Sequence, residues 1–596
     1  MSLRSCLLAL FVATSLPAQD STILVRGARV FDGVQMLGER DVLIRGGRIA
    51  ALAQRLDAPP GASIVEARGK TLLPGFIDAH THTFGDVLTQ ALAFGVTTQL
   101  EQFTDPAMVR RWHDEQRTGK ANSRTDVFSA GVLVTAPGGH GTQFGLSIPT
   151  ITSPDSAQAF VDARIAEGAD WIKIVYDDGR AYALNRPTLD SATMHAVVAA
   201  AHKRGKLAIV HVHSASFARS AIAAGADGLV HVFADTDSIA EFVALAKRRG
   251  AFVIPTLTVN KSVTGVAGGA PLIEDKRIDS LLTTVDLGQL RQAFPTRPNS
   301  PARYAHAQAA VRALNAAGVP VLAGTDAPNP GTTHGASIHS EMELLVEAGL
   351  TPAQALASAT SVPARTFRLS DRGRIAPGLR ADMILVNGDP ATDITATRGI
   401  HAIWKGGVRL DRSQYAERAR ATRAAATTDV RVEPGVVSTF DDGTTGSRFG
   451  MGWIVSTDQM AGGKSKGEML IVDGGADGSA KAMRVTGTID GALPYAWAGA
   501  ALIPASTPMQ PVDMSTAREI SFWARGDGKV YRVMLFAQSK GMTPMTRTFQ
   551  STSEWKEHTI PLAAFGTEGK DVVMLIIAAG PAAGAFELFV DGVRLR

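Results

Sequence analysis

Short apolar runs alternate with helical stretches from residue 73 to residue 371, and this alternation is the strongest pattern in the chain. Repeated strand–helix units imply parallel strands. Eight such units over this length predict an α/β fold with a closed (β/α)8 TIM-like barrel. An open doubly wound sheet is the competing topology, but no Gly-x-Gly-x-x-Gly turn follows the first strand to favour it. The predicted strands are Phe76–His82, Val96–Glu101, Val127–Val134, Trp171–Val175, Ala208–His213, Leu229–Phe233, Phe252–Leu257 and Val321–Thr325.

Shorter strands punctuated by glycine flank this region on both sides. Residues 19–72 and 372–411 share strand lengths and turn signals, including the pairs Gly46-Gly47 and Gly406-Gly407. We therefore expect both segments to form one small β-sandwich domain, with the barrel (73–371) inserted into it. Residues 412–432, rich in arginine and alanine, predict an exposed helical linker.

From residue 433 to residue 596 helical periodicity disappears and short alternating strands take over. This pattern predicts a separate all-β jelly-roll domain. Its tryptophans offer an aromatic platform for a glycan, and a protein ligand is a second candidate partner. Core packing is the favoured interpretation, because large aromatic side chains are buried on average. The four tryptophans are Trp453, Trp497, Trp523 and Trp555.

Composition narrows the function classes. The chain has 596 residues and a net charge of +4 without a basic block, so nucleic-acid binding is not indicated. The N-terminus carries Arg4, the apolar run Cys6–Leu16 and a small residue at Ala18, a pattern typical of a secretory signal peptide over residues 1–18. We therefore expect a periplasmic or secreted protein. That run is too short to span a bilayer, and no transmembrane segment is expected later in the chain.

Histidines, one lysine and one aspartate collect at the predicted strand ends. His80 and His82 share a face of the first strand, because side chains repeat every two residues. Alone, a His-x-His pair predicts little, but active sites of such barrels lie at the carboxyl ends of the strands. A lysine within the apolar run Ile172–Val175 is costly unless it is paired or modified. The residues that converge on this rim are His80, His82, Lys173, His211, His231 and Asp326.

These residues stand within motifs that resemble the amidohydrolase superfamily, in its imidazolonepropionase-like and prolidase-like branch. The resemblance covers residues 20–410. Its matching segments include Pro74–His82, Ile172–Ile174, Gly324–Asp326, the run from His334 to Leu345, and Ile375–Asp382. The C-terminal region resembles the complex I intermediate-associated protein family, whose β-sandwich is similar to galactose-binding jelly rolls. Only the fold is carried over from that second resemblance.

The first resemblance implies a centre of two divalent metal ions, most simply Zn. His80, His82 and Asp326 would hold one ion, and His211 and His231 the other. Lys173, converted to a carbamate by carbon dioxide, would bridge them. His213 shares a strand face with His211 and is expected to support a ligand.

The implied reaction is hydrolysis of a small-molecule amide at its carbon–nitrogen bond by a metal-bridging hydroxide, with Asp326 as general base and then general acid. Dipeptides, N-acyl amino acids and cyclic amides are the expected substrates. Hydrolysis of esters or lactones, and deamination, are alternatives at the same site. Deaminases of this superfamily usually lack the bridging lysine, so Lys173 argues against deamination. A non-catalytic glycan-binding protein is the alternative from another class.

Four further residues are candidates near the site. His140 lies on the glycine-rich run Pro137–Gly141 and, with Tyr176, is predicted to bind substrate. His334 and His339 follow the eighth strand and are expected to support the metal ligands. The long stretch from Thr258 to Ser300 predicts a lid. Homo-oligomerisation is left open.

Overall fold

The computed structural model describes residues 22–83, 87–119, 123–142, 148–236, 238–294, 299–426, 430–461, 464–491, 495–505, 510–540 and 544–596. The predicted signal peptide lies outside the described residues. No helix within these ranges is both long and apolar enough to cross a membrane.

The first described strands form one end of a mixed sheet. They are β1 (Ile23–Phe31), β2 (Met36–Arg45), β3 (Arg48–Ala53), β4 (Ser63–Glu66) and β5 (Lys70–Pro74). Three later strands complete the sheet: β13 (Met383–Asn387), β14 (Ile400–Lys405) and β15 (Val408–Arg409). The order is β15-β14-β13-β5-β1-β2-β3, with β4 beside β1. Strands from both flanking segments thus pair directly, as one continuous sheet rather than as two separate sheets.

Between β5 and β13 the chain alternates strands and helices. The strands are β6 (Phe76–Thr81), β7 (Val96–Glu101), β8 (Asp126–Ser129), β9 (Ile172–Val175), β10 (Ala208–His211), β11 (Gly228–Val230) and β12 (Phe252–Ile254). The helices are α1 (Val87–Ala93), α2 (Pro106–Arg117), α3 (Ala157–Ala166), α4 (Ser191–Lys203), α5 (Ala215–Ala223), α6 (Ala240–Arg249), α7 (Leu257–Val263), α8 (Ala270–Ile273), α9 (Thr284–Leu290), α10 (Tyr304–Ala316), α11 (Ala336–Glu347), α12 (Pro352–Ser358) and α13 (Ser361–Thr366). Helix starts follow the sequence: Asp190 accepts a hydrogen bond from the Thr193 amide of α4 at 2.6 Å.

Parallel pairing unites these strands into two groups, β6-β7-β8 and β9-β10-β11-β12. Isolated parallel bridges connect them: Val134 with Ile174, Val253 with Val321, and Thr81 with Ala327. The predicted eighth strand, Val321–Thr325, is therefore not a regular strand but a bridging segment. Apolar side chains from both groups share one buried cluster, among them Ile77, Leu100, Ile209, Ile254 and Leu322.

The C-terminal region is β-rich, and it begins after helix α14 (Arg412–Ala426). The strands are β16 (Gly435–Ser438), β17 (Gly452–Thr457), β18 (Lys466–Asp473), β19 (Lys481–Ile489), β20 (Ala498–Ile503), β21 (Glu519–Gly526), β22 (Val530–Ala537), β23 (Met545–Gln550), β24 (Lys556–Pro561), β25 (Val572–Ala579) and β26 (Gly584–Leu595). They form two antiparallel sheets, one in the order β18-β19-β26-β21-β24 with β16 beside β26, the other in the order β17-β20-β25-β22-β23. The two sheets face each other across a shared apolar core. Trp453 is buried in this core, as the packing interpretation expects, whereas Trp497, Trp523 and Trp555 are only half-buried.

Helix α14 is more than the exposed linker that its composition predicted. Tyr415 and Ala419 are buried, and the Tyr415 ring packs edge-on against Phe94 with centroids 6.3 Å apart. The Arg423 guanidinium donates to the carbonyl oxygen of Leu282 at 2.6 Å. The helix therefore docks on the central α/β region.

This docking predicts different outcomes for two truncations. A chain ending at residue 432 keeps α14 and loses only a region with its own core, so it should fold. A chain ending at residue 411 should be less stable, by about 2–3 kcal/mol from the lost burial of Tyr415 alone. Thermal unfolding of the two truncated chains measures the difference. Equal stabilities would show that α14 contributes nothing to the fold.

Candidate active site

The predicted ligands meet where the parallel strands end. His80 and His82 come from the end of β6, His211 ends β10 and His231 follows β11. Asp326 follows the bridging segment. Because the strands are parallel, their carboxyl ends share one edge, and a cavity of about 520 Å³ opens there. The predicted ligands that line it are His82, Lys173, His211, His231 and Asp326, and His80 lies buried beside them.

The Asp326 carboxylate stands at the centre of the first group of ligands. Its Oδ1 lies 3.0 Å from Nε2 of His82 and 3.2 Å from Nε2 of His80. Its Oδ2 lies 3.8 Å from Nε2 of His231. His80, His231 and Asp326 each present a ligand atom within 4.8 Å of the others, so this group can hold a metal ion.

The backbone holds Asp326 in an unusual conformation. Its φ of +55° lies in the left-handed region, which is costly for a residue with a Cβ. The Asp326 amide donates to the His80 carbonyl at 2.8 Å, and the preceding Thr325 donates to Asp78 through both its amide and its hydroxyl. Gly324 allows the two backbone segments to lie this close together, because a Cβ at position 324 would be 2.9 Å from the backbone nitrogen of His80. These contacts fix the carboxylate over the histidines.

A second group of ligand atoms joins His211, His213 and His231, again within 4.8 Å of one another. Nδ1 of His231 is hydrogen-bonded to Thr256, which leaves Nε2 for the group. Nδ1 of His213 lies 3.1 Å from the buried Asp177 carboxylate. His213 thus has a fixed orientation beside the predicted ligand His211.

Several buried polar atoms in these groups form no hydrogen bond within the described part of the chain. They are Nδ1 and Nε2 of His80, Nε2 of His211 and Oδ1 of Asp326. Oδ1 of Asp326 is close to the rings of His80 and His82, but these approaches do not have hydrogen-bond geometry. A buried polar atom without a partner costs roughly 1–3 kcal/mol. Burial also lowers the pKa of His80, His211 and His231 well below its usual value, so these imidazoles are neutral and have lone pairs to donate. The donor set therefore fits metal ions.

Lys173 is buried in β9 and points into the cavity. Burial lowers the pKa of its ammonium group to about 7, although Asp326 and Glu101 oppose the shift. Its amine is therefore substantially neutral near pH 7. A neutral amine has the lone pair that reaction with carbon dioxide requires.

Glu101 is a site residue that the sequence interpretation missed. It ends β7, is fully buried, and places Oε1 4.0 Å from Nδ1 of His82. Burial raises the pKa of its carboxyl group to about 7. The sequence did contain a signal for Glu101, because it is the last residue of the predicted strand Val96–Glu101 and so lies at the same rim as the histidines.

The remaining cavity wall is apolar with a few polar groups. The His140 ring, a predicted substrate contact, stacks on His211 with centroids 4.7 Å apart. The predicted lid segment is helical in part and supplies wall residues through α7 and Phe294. The apolar lining residues are Phe103, Leu133, Val175, Leu184, Val259, Val263, Phe294 and Pro328, and the polar ones include Tyr182, Arg186 and Asn260.

Two predicted site residues lie elsewhere. The Tyr176 ring packs edge-on against Phe217 of α5, with centroids 4.5 Å apart, and does not line the cavity. Alternation along β9 explains this, because Lys173 and Val175 take the cavity side. His339 is hydrogen-bonded to Thr397 and to the Phe94 carbonyl, at 3.0 and 3.1 Å, so it stabilises packing rather than a ligand.

His334, by contrast, does contact a predicted ligand. Its ring is hydrogen-bonded to the backbone of His82, and its Nδ1 lies 3.1 Å from Nε2 of Gln99. It therefore helps to hold the His-x-His segment in place.

Parallel strands with histidines and a carboxylate at their carboxyl ends, around one cavity, form the arrangement of an enzyme active site. The chain belongs to the amidohydrolase family, whose sequence profile matches residues 71–410. It is thus a hydrolase acting on carbon–nitrogen bonds. Residues 442–573 match the profile of complex I intermediate-associated protein 30.

Individual relatives agree with this assignment. An imidazolonepropionase from Deinococcus radiodurans is 26% identical over 399 residues, which cover 63% of this chain and 92% of the relative. Among solved structures, a Xaa-Pro dipeptidase with methionine bound in its active site superposes with a TM-score of 0.54 at 24% identity, covering 66% of this chain and 100% of that one. A prolidase complexed with N-methylphosphonate-L-proline gives a TM-score of 0.52 at 22% identity, with 66% and 100% coverage. These two structures show the same fold.

Proposed function

We propose that this protein hydrolyses the amide bond of a dipeptide, an N-acyl amino acid or a related cyclic amide with the help of two divalent ions, most simply Zn. His80, His82 and Asp326 would hold one ion, and His211 and His231 the other. The observation that carries the proposal is the set of buried, unbonded nitrogen and oxygen atoms beside Lys173. His211 is preferred to His213, because Nε2 of His211 is buried without a hydrogen-bond partner among the described residues.

Lys173 would bridge the ions as a carbamate. The neutral amine attacks the carbon of carbon dioxide, a nitrogen–carbon bond forms as one carbon–oxygen π bond opens onto oxygen, and the nitrogen releases one proton to water. The product carries an anionic group with two oxygens in place of an ammonium group, which has no lone pair to donate. Support comes from the burial of Lys173 and from its pKa of about 7.

The two groups of parallel strands would form a closed eight-stranded barrel, in which the segment Val321–Thr325 takes the place of the eighth strand. The parallel bridges at Ile174, Val321 and Ala327 support this closure. The C-terminal sheets would form a jelly roll, since they are antiparallel and share one core. The pattern of residues 1–18 supports a secreted or periplasmic location.

When bound, the ions supply Lewis acidity, which lowers the pKa of a water molecule and polarises the amide carbonyl. The chain's own residues transfer the proton of the attacking water. Asp326, fixed by its backbone contacts, accepts it from the attacking water at a carboxylate oxygen and delivers it to the leaving nitrogen. The apolar wall excludes bulk water and strengthens these electrostatic interactions.

Metal analysis tests the centre directly. Purified active protein should contain close to two divalent ions per chain, and His211→Ala should lose about one of them together with most of its activity. His202→Ala is the matched control, since His202 lies on α4 and pairs with Asp227. Active wild-type protein with one ion, unchanged by added Zn or Mn, would refute the two-metal centre.

A substrate panel tests the reaction. Dipeptides, N-acyl amino acids and cyclic amides should be hydrolysed by the metal-loaded enzyme, and esters, lactones and purines serve as comparison classes. Release of an amine identifies cleavage of the carbon–nitrogen bond. Turnover confined to esters or purines would contradict the proposed amide specificity.

A further inference from the structure

Arg186 brings a permanent positive charge to the cavity. It lies between β9 and α4, is half-buried, and lines the cavity with the predicted ligands. Its amide donates to the Asp178 carbonyl oxygen at 2.9 Å, which anchors this part of the loop. An arginine side chain stays protonated at every pH relevant to proteins.

Arg186 is linked to the predicted metal ligands through one side chain. Its Nη1 lies 2.7 Å from Nδ1 of His140, whose ring stacks on His211. A guanidinium group can only donate, so Nδ1 of His140 accepts and the His140 proton resides on Nε2. His140 is thereby held as a neutral donor, and two donor groups of the same wall stand beside His211.

This pair fits a particular position in an amide substrate. In an N-acyl amino acid or a dipeptide, the free carboxylate carbon lies at most about 4 Å from the scissile carbonyl carbon, since three bonds separate them. When the scissile carbonyl lies at the predicted metal ligands, the carboxylate must therefore lie against the adjacent part of the cavity wall. Arginine is the side chain best suited to receive it, because its planar fork matches a carboxylate.

We propose that Arg186, positioned with His140 beside His211, binds the free α-carboxylate of the substrate and restricts the enzyme to amides that carry one on the leaving-group side. The inference rests on the proposed hydrolytic function. It excludes neutral amides and carboxyl-blocked peptides as good substrates. The apolar wall receives the substrate's side chains, and the carboxylate binds at the guanidinium.

The test compares each free-acid substrate of the panel with its C-terminal amide, which has nearly the same shape and no charge. Wild-type enzyme should prefer the acid in kcat/KM. Arg186→Gln should lower kcat/KM for the acid by about 10- to 100-fold, chiefly through KM, as expected for one lost charge-assisted hydrogen bond. The decrease in kcat/KM of Arg186→Gln for the amide substrate should be much smaller. Arg186→Lys should retain part of the preference, because the charge remains and the fork does not.

Arg180→Gln is the matched control on the same loop, since Arg180 is largely exposed and pairs with Asp178. Calorimetric binding of the product amino acid and of its amide gives a readout independent of turnover. Equal losses by Arg186→Gln on acid and amide, or wild-type enzyme without preference, would overturn the inference while leaving amide hydrolysis intact. Absence of hydrolysis across the whole panel would overturn the proposed function itself.

Discussion

Substituting alanine for Lys173 is expected to lower turnover by about 100- to 1,000-fold, the scale of losing one preorganised electrostatic group from an active site. The variant loses the proposed bridging carbamate, and the second metal ion should bind more weakly. The fold should survive, because the cavity already adjoins Lys173 and a shorter side chain creates no clash. Steady-state kinetics, metal analysis and thermal unfolding measure these three effects.

Chemical rescue separates the carbamate from a structural lysine. Acetate or propionate should restore part of the activity of Lys173→Ala, because a carboxylate can occupy the vacated space and present two oxygens. Lys173→Arg should not respond, since the guanidinium fills the space and stays positive. Lys203→Ala, on the exposed face of α4, is the control. Retention of two ions and most of the activity by Lys173→Ala would disprove the bridge.

Asp326→Asn should lower kcat by about 100- to 10,000-fold, the usual contribution of general acid–base catalysis. The amide has nearly the shape of the carboxylate but cannot accept the proton of the attacking water. The Asp326→Asn variant should also bind metal more weakly. The ion content is therefore measured in parallel with kcat, to distinguish loss of metal from loss of proton transfer. Asp178→Asn, on the loop after β9, is the control variant.

A substantial rate for Asp326→Asn with full metal content would assign the proton transfer to another group. The buried carboxyl group of Glu101 is the next candidate, because it lies near His82 and burial raises its pKa to about 7. A Glu101→Gln variant would then show the larger loss.

Strand positions and the histidine rim could be predicted because both depend on local patterns. The apolar runs at Phe76, Ala208 and Phe252 each begin a strand in the structure. His80 and His211 follow from the rule that parallel strands end at one edge. Near the eighth predicted strand this logic failed in part, since Val321 makes only an isolated bridge and pattern alone does not fix how long regular pairing lasts.

The residues that sequence reasoning missed depend on contacts between distant segments. Arg186 sits in an irregular loop, and only the fold brings it to His140, 46 positions earlier. Tyr176 was misplaced for a different reason, because counting two residues at a time from Lys173 would have put it on the opposite face. The composition of helix α14 predicted an exposed helix, but its Tyr415 packs against Phe94, more than 300 positions away in the sequence.

The wall of the cavity touches the C-terminal region, through the segment that follows α9. Nε2 of Gln292 donates to the Lys540 carbonyl at 2.6 Å, and Phe294, two positions later, lines the cavity. Gln289 in α9 also donates to the carbonyl of Pro328, another lining residue, at 3.0 Å. Recombination that exchanges the C-terminal region between related genes would replace the partner of Gln292, two positions from a residue of the cavity wall. Selection on substrate choice can act on residues near Lys540, far in sequence from every predicted metal ligand, and the two regions are expected to evolve together.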